Sequence, residues 1–362
     1  MLRRTKHALL ASIAFAACAV GLGSVHAAPI AAGDLVIFRA GDGAAALSGA
    51  SAAGFLDEYT TAGTLVQSIP IASTGTSALT VTGNSTTEGI ISTSQNGSLL
   101  AFAGYRADAG TASGFTANNK VLATVGLNGV VNTTTAVTDA GTNATRSATT
   151  IDGSTFYYAT AAAVRYVASP SGASTSASID ARNSRQVNLA GNVLYASNGS
   201  TAITGKVQSY GTLPTGTTAP TPVVTLATAD AVNGFFLADV NPAVTGADTL
   251  YALSTVEGLL RKYTFDGTAW TAAGSISSGA LDLTGVVSGT NVNLYLTSGS
   301  GLFAFTDASG IGGTLTGTIG AAIATPATNT AFRGIGTLAI PEPASIGALA
   351  MIGLSLSRSR RK

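Results

Sequence analysis

Apolar residues in the body of this chain fall in short alternating runs, not at helical spacing. Runs rich in Val, Ile, Leu, Phe and Tyr are separated by clusters of Gly, Asn, Asp and Ser, the pattern of β-strands joined by tight turns. Hairpin signals recur: Asn96-Gly97 between Ile90-Ile91 and Leu99-Leu100, Asn128-Gly129 between Val121-Leu122 and Val130-Val131, Asp152-Gly153 before Phe156-Tyr157-Tyr158, and Asp266-Gly267 before Trp270. Asx-Gly pairs accept the left-handed backbone that two-residue hairpins require.

A longer repeat underlies the hairpins. One strand type occurs at residues 88–92, 146–150, 185–189, 234–238, 280–284 and 332–336, and an aromatic-rich strand follows each of the first five. A third strand often succeeds it, as in Val164-Arg165-Tyr166, Leu260-Arg261-Lys262-Tyr263 and Leu302-Phe303-Ala304-Phe305. Tyr158, Tyr195, Tyr251 and Tyr295 stand 37, 56 and 44 residues apart, the length of a four-stranded propeller blade. The sixth first-type strand has no successor. Its partners are predicted at the other end of the chain, in Leu35-Val36-Ile37-Phe38, Phe55 to Tyr59 and Thr64 to Gln67. Pairing last with first would close a ring and leave no open sheet edge. The expected fold is all-β, a β-propeller of six blades. Weakly patterned stretches at 105–145 and 200–233 leave room for a seventh, and a β-sandwich or solenoid is the alternative.

The two ends are of a different kind. Arg3, Arg4 and Lys6 precede an apolar run from Ala8 to Leu22, and Val25-His26-Ala27 places small residues where signal peptidase reads, predicting cleavage after Ala27 or Ala28. The run is shorter than the roughly 20 residues of a spanning helix. Phe15-Ala16-Ala17 before Cys18 makes a poor lipobox. At the other end, Pro341-Glu342-Pro343-Ala344-Ser345 leads into apolar residues from Ile346 to Leu356, then Arg358, Arg360, Arg361 and Lys362. This three-part order resembles the PEP-CTERM sorting signal of Gram-negative and related bacteria. The resemblance covers Pro341 to Lys362. It implies transient anchoring by a C-terminal apolar helix and cutting near Pro341-Glu342-Pro343 by an exosortase-type membrane enzyme. It also implies the company of extracellular polysaccharide. The expected division is 1–28 signal peptide, 29–340 propeller-like domain and 341–362 sorting signal. The central body resembles uncharacterised exported proteins of that group through Gly41-Asp42-Gly43 and Leu56-Asp57-Glu58-Tyr59, a resemblance that brings no activity with it.

Composition narrows the chemistry. His7, His26 and Cys18 all lie before the predicted cleavage point, so the mature chain has neither His nor Cys. That excludes Ser-His-Asp and Cys-His catalysis, disulfides and nearly every zinc, haem, copper or iron–sulfur site. The formal charge of +1 conceals an acidic body: residues 29–340 carry 16 Asp or Glu against 11 Lys or Arg. No nucleic-acid partner is expected of such a surface.

Few residues qualify as a site. Asp57 and Glu58 are adjacent carboxylates, but on a strand they face opposite ways, one to solvent and one to a turn or blade edge, and cannot act as a hydrolytic pair. Arg182 and Arg185 read as a solvated loop pair. Asp152-Gly153 and Asp266-Gly267 each fall one residue short of the Asp-x-Gly with a following aromatic that marks the blades of six-bladed sialidases, and read as hairpin turns. Trp270 is expected to cover a blade edge, and the strand tyrosines to pack between blades. No Asp-x-Asp-x-Asp-Gly run offers a calcium loop. Asn84, Asn132 and Asn143 fit the N-glycosylation pattern. No catalytic residue, metal ligand or cofactor is assigned. The expected function is an exported, non-enzymatic structural or binding protein of the cell surface or matrix. Its expected partners are the Sec translocon, signal peptidase, an exosortase-type enzyme and surface polysaccharide or proteins. The alternative is a secreted carbohydrate-active enzyme working through Asp, Glu, Tyr and Arg. An enzyme should gather acids and arginines at one mouth of the ring, and a scaffold should line that mouth with Ser, Thr and Ala.

Overall fold

The computed structural model describes residues 27–339. They form twenty-four strands and no α-helix, and no helix among them is long and apolar enough to cross a membrane. The first antiparallel group runs β1 (Leu35–Ala40), β2 (Ser51–Tyr59), β3 (Leu65–Pro70). Its fourth member is the last strand of the chain, β24 (Ala331–Thr337), which pairs β1 with Leu35 opposite Thr337 and Ile37 opposite Ile335. A short β4 (Thr80–Thr82) bridges β2 to the second group, β5 (Ser92–Thr93), β6 (Leu99–Tyr105), β7 (Lys120–Gly126) and β8 (Val131–Val137). The third group is β9 (Thr145–Thr150), β10 (Phe156–Thr160), β11 (Val164–Val167) and β12 (Ala177–Asp180). The fourth is β13 (Ser184–Ala190), β14 (Val193–Asn198), β15 (Gly205–Thr212) and β16 (Thr221–Thr225). The fifth is β17 (Val232–Ala238), β18 (Thr249–Ser254), β19 (Leu259–Phe265) and β20 (Trp270–Ser277). The last has three strands, β21 (Asp282–Ser288), β22 (Asn291–Ser298) and β23 (Gly301–Asp307).

The alternation of side chains explains why these groups stand face to face. Leu250 and Ala252 on β18 pack toward the fourth group with Val207 and Val224. Tyr251 and Leu253, one residue out of phase, pack toward the last group with Leu294 and Leu296. Each sheet is thus apolar on both faces, and the core divides into slabs between successive groups. The slab between last and first groups combines Leu302 with Leu35, Ile37, Phe332 and Ile335. The innermost strands β24, β5, β9, β13, β17 and β21 are each neighbours of the next, and β21 returns to β24. The architecture is a closed β-propeller.

Two details differ from the sequence reading. The predicted strand at 88–92 is regular only at β5, because Ile90 donates to Arg146 O at 3.2 Å and bridges Ser147 of the next group instead of running along β6. The weakly patterned stretches hold regular strands, β7 and β8 in one and β15 and β16 in the other. Their Thr and Ser content hid the alternation.

Candidate functional site

Cross-ring hydrogen bonds set the register of the inner strands. Val187 N–H donates to Ser147 Oγ at 3.0 Å, Phe235 N–H to Gln186 Oε1 at 2.6 Å, and Ile335 N–H to Asp282 Oδ2 at 3.1 Å. Ser147, Gln186 and Asp282 therefore stand at one level, where they close the waist of the ring. Both longer side chains reach Ile91: Gln186 Nε2 donates to its carbonyl at 3.3 Å, and its N–H donates to Asp282. At the same level stand Gly234 and Gly334, and both need to be glycine. A methyl on Gly334 would lie 2.3 Å from Gly89 O and Ile91 N, and one on Gly234 would lie 2.5 Å from Asp282 Oδ1. Burial raises the Asp282 carboxyl to about 8, against the lowering effect of its backbone N–H bonds.

One residue earlier on the same strands lies the mouth. Arg146, Arg185, Asn233 and Arg333 occupy equivalent positions there, and Glu88 enters from the segment before β5. Arg146 and Arg333 are 8% and 5% exposed, and Glu88 is 4% exposed. Asn84–Thr87 passes over them. Arg333 Nη2 donates to Gly83 O at 2.8 Å, Arg146 Nη1 to Thr87 Oγ1, and Asn233 Nδ2 to Thr86 O at 3.4 Å. Glu88 accepts from Thr82 N–H at 2.8 Å, Thr82 Oγ1 at 3.0 Å and Tyr105 OH at 3.0 Å.

The electrostatics follow from burial. Desolvation lowers Arg146 and Arg333, partly offset by the Glu88 charge. Burial and then the neighbouring Arg146 charge bring Arg185 down to about 10. Burial raises Glu88 despite its hydrogen bonds and Arg146, and Tyr105 is raised by burial and by Glu88. Between the fifth and last groups, a cavity of about 490 Å³ opens among Ser277, Ser278, Ser298, Ser300, Phe303 and Thr318. Below the waist a smaller cavity of about 140 Å³ is lined by Ser92, Thr93, Asn188 and Thr284.

The residues singled out from the sequence are distributed elsewhere, with one exception. Asp57 and Glu58 do face opposite ways, but neither reaches solvent. Asp57 is ion-paired with Arg39 at 2.5 Å and accepts from Ser68, while Glu58 accepts from Ala31 N–H at 2.7 Å and Gln67 Nε2 at 2.6 Å. The partners lie on β1, β3 and the incoming N-terminal segment, which sequence proximity does not reveal. Arg182 and Arg185 are not a loop pair. Arg182 meets Asp180 at 3.3 Å and Gln208 at 2.8 Å, while the Arg185 guanidinium lies against Gly199 within range of the Arg146 charge. Asp152 and Asp266 cap their hairpins by accepting from Ser154 and Thr268, and Gly153 and Gly267 have φ of 93° and 97°. Trp270 stacks on Phe265 at 5.2 Å on the outer strand β20. Tyr158 and Tyr251 are buried between groups, their hydroxyls on Ser176 and Asp307. Asn84, Asn132 and Asn143 are exposed. Ala28 N–H donates to Gln67 Oε1 at 3.1 Å, and Ala27 packs against the first core slab. Pro341, Glu342, Pro343, Arg358, Arg360, Arg361 and Lys362 lie outside the described residues. Arg146, Glu88 and Arg333 appeared in the sequence only as strand residues. The available signal was an arginine at the start of three of the six repeats.

No group of three or more His, Cys, Asp and Glu residues able to hold a metal occurs among the described residues. No family model matches the sequence, and no curated protein matches it. Among solved structures, a chain of a nidogen–laminin complex aligns with TM-score 0.49 at 12% identity, over 86% of this chain and 99% of that one. The periplasmic gluconolactonase of Pseudomonas aeruginosa aligns with TM-score 0.47 at 11% identity, over 85% and 100%. The Swd1 β-propeller domain of Myceliophteria thermophila aligns with TM-score 0.44 at 9% identity, over 79% and 86%. The chain's own strand pairing, in which β24 closes the ring on β1, makes it a propeller.

Proposed function

We propose that this chain is an exported, non-enzymatic binding protein of the cell surface or extracellular matrix, delivered through a signal peptide and released by cutting at Pro341-Glu342-Pro343. The observation that carries the reading is the order at the C-terminal end, a Pro-Glu-Pro turn, an apolar run and a basic tail. The fold is compatible with such processing. Among the described residues Leu338 is the last in the core and Ala339 N–H donates to Gly97 O at 3.0 Å, so a cut at Pro341 leaves these contacts in place. Among the described residues Ala28 is the first bound to the ring by hydrogen bonds, and a cut after Ala27 leaves those bonds in place.

A second reading, a secreted carbohydrate-active enzyme, draws on the same mouth, where Glu88, Tyr105 and three arginines gather. Against it, Tyr105 has no exposed surface and its hydroxyl is engaged by both Glu88 and Thr145 N–H. Among the described residues no second carboxylate acts on Glu88 to share the roles of acid and base or nucleophile. Recognition without turnover fits the arrangement better. The test is the intact mass of the protein recovered from outside its native cells. A chain running from Ala28 or Pro29 to the neighbourhood of Pro341 is expected. A mass ending at Lys362 in the inner-membrane fraction would overturn the reading.

A further inference from the structure

We propose that the arginine mouth is an oxyanion site, in which Arg146, Arg185 and Arg333 together hold a carboxylate, sulfate or phosphate group beside Glu88 and beneath Asn84–Thr87. This rests on reading the mouth as a binding site and is independent of how the protein is delivered.

Charge is the first argument. Among the described residues the ion pairs are Arg39–Asp57, Arg165–Asp139, Arg182–Asp180, Arg261–Glu257 and Lys262–Asp307. None of the three mouth arginines is in an ion pair. Glu88 is the one carboxylate among the described residues that acts electrostatically on Arg146 and Arg333, so these residues leave two positive charges at the mouth without counterions. Buried charge left uncompensated is costly, and a bound anion removes that cost.

Buried donors without partners are the second argument. The Nε atoms of Arg146, Arg185 and Arg333 are all buried and lack hydrogen-bond partners. Their terminal nitrogens fix two of the groups in place, Arg333 on Gly83 O and Arg146 on Thr87. Arg185 is positioned by a missing side chain, since a methyl on Gly199 would lie 2.6 Å from its Nη2. Chloride could balance charge here, but an oxyanion presents several oxygens to N–H groups arriving from three different strands, the geometry that guanidinium groups serve best.

The test is titration of the purified protein with sodium sulfate, sodium phosphate and sodium glucuronate, each against sodium chloride at equal ionic strength, by calorimetry and thermal unfolding. Saturable binding of at least one oxyanion, not matched by chloride, is expected. The sulfate and phosphate arms against the glucuronate arm show whether a tetrahedral or a carboxylate group is preferred. R185Q, at the least buried of the three positions, should weaken binding roughly tenfold or more, the worth of a charged hydrogen bond. R261Q, outside the mouth, should leave it unchanged. R146Q and R333Q remove buried groups and can impair folding. The arginine Nε–H resonances of the unmodified protein therefore provide a second readout, with three signals expected to shift saturably with anion. Absence of saturable binding by any of the three anions overturns the proposal. So does a stabilisation by sulfate that R185Q retains in full, which is general salt exclusion. Either failure leaves the delivery reading standing, and an intact mass ending at Lys362 leaves this site standing.

Discussion

Replacing Phe332 by alanine tests the closure of the ring at its seam. Phe332 lies on β24 with no exposed surface, in the slab that joins the last and first groups. Its ring meets Tyr59 edge-on at 5.8 Å and 79°. Removing a buried phenylalanine ring costs about 3–5 kcal/mol through lost transfer energy and the cavity left behind. The aromatic pair accounts for roughly 0.5–1.5 kcal/mol of that. Against a total stability on the order of 5–15 kcal/mol, the loss is large. The assay is equilibrium unfolding in urea, followed by circular dichroism and by the fluorescence of Trp270, which lies in the fifth group, away from the seam. The expected result is one cooperative transition whose midpoint falls equally by both probes, because opening the seam exposes the edges of the whole ring. V66A is the control: Val66 is 52% exposed on β3 and its truncation should change stability by no more than about 0.5 kcal/mol. A cost below about 1 kcal/mol for F332A would refute the reasoning. So would an early partial transition that leaves Trp270 unmoved. In either case β24 would be an appendage and not the inner strand of the first group.

Other consequences concern the waist and the buried charges. With Asp282 raised to about 8 by burial, the folded state holds a proton between about pH 4 and pH 8 that the unfolded state has released. Stability from this group is therefore full below about pH 4 and is lost as pH rises toward 8, at about 1.4 kcal/mol per unit and up to roughly 6 kcal/mol in all. D282N should flatten the pH dependence of urea unfolding between pH 5 and 8 by one proton's worth, and equal slopes for variant and parent would contradict the assignment. Glu88 acts in the same direction, so E88Q should remove a separate share. Gly334→Ala places a methyl against backbone that cannot retreat, and should destabilise by about 1–3 kcal/mol or prevent closure, measured by thermal unfolding. Lys262 and Asp307 form a buried pair at 2.8 Å, with Tyr251 OH on Asp307 at 2.6 Å. Truncation by D307A should cost about 3–5 kcal/mol in urea unfolding by leaving the ammonium unpaired, while the double variant K262M/D307L should recover much of that loss.

Much of the fold is visible in the sequence because strand alternation and Asx-Gly turns are local properties. The first-type strands at 146–150, 185–189, 234–238 and 332–336 coincide with β9, β13, β17 and β24 to within about two residues, and the unfinished sixth repeat pointed to the strand pairs that β1 and β24 form. Where Thr and Ser replace larger apolar residues, as in β8 and β16, burial depends on neighbouring sheets, and the local signal fades. The absence of His and Cys between residues 29 and 340 likewise needs only the sequence, and it excludes whole classes of chemistry. The mouth is different in kind. Glu88, Arg146, Arg185 and Arg333 are spread over nearly 250 residues and come to one level only because six inner strands share a register around a closed ring. Likewise Asp57 and Glu58, which sequence alone places partly in solvent, are buried by partners on β1, β3 and the N-terminal segment. Strand content is written residue by residue, whereas the charge balance of a buried ring depends on which distant side chains closure brings within reach of each other, and that is decided only in three dimensions.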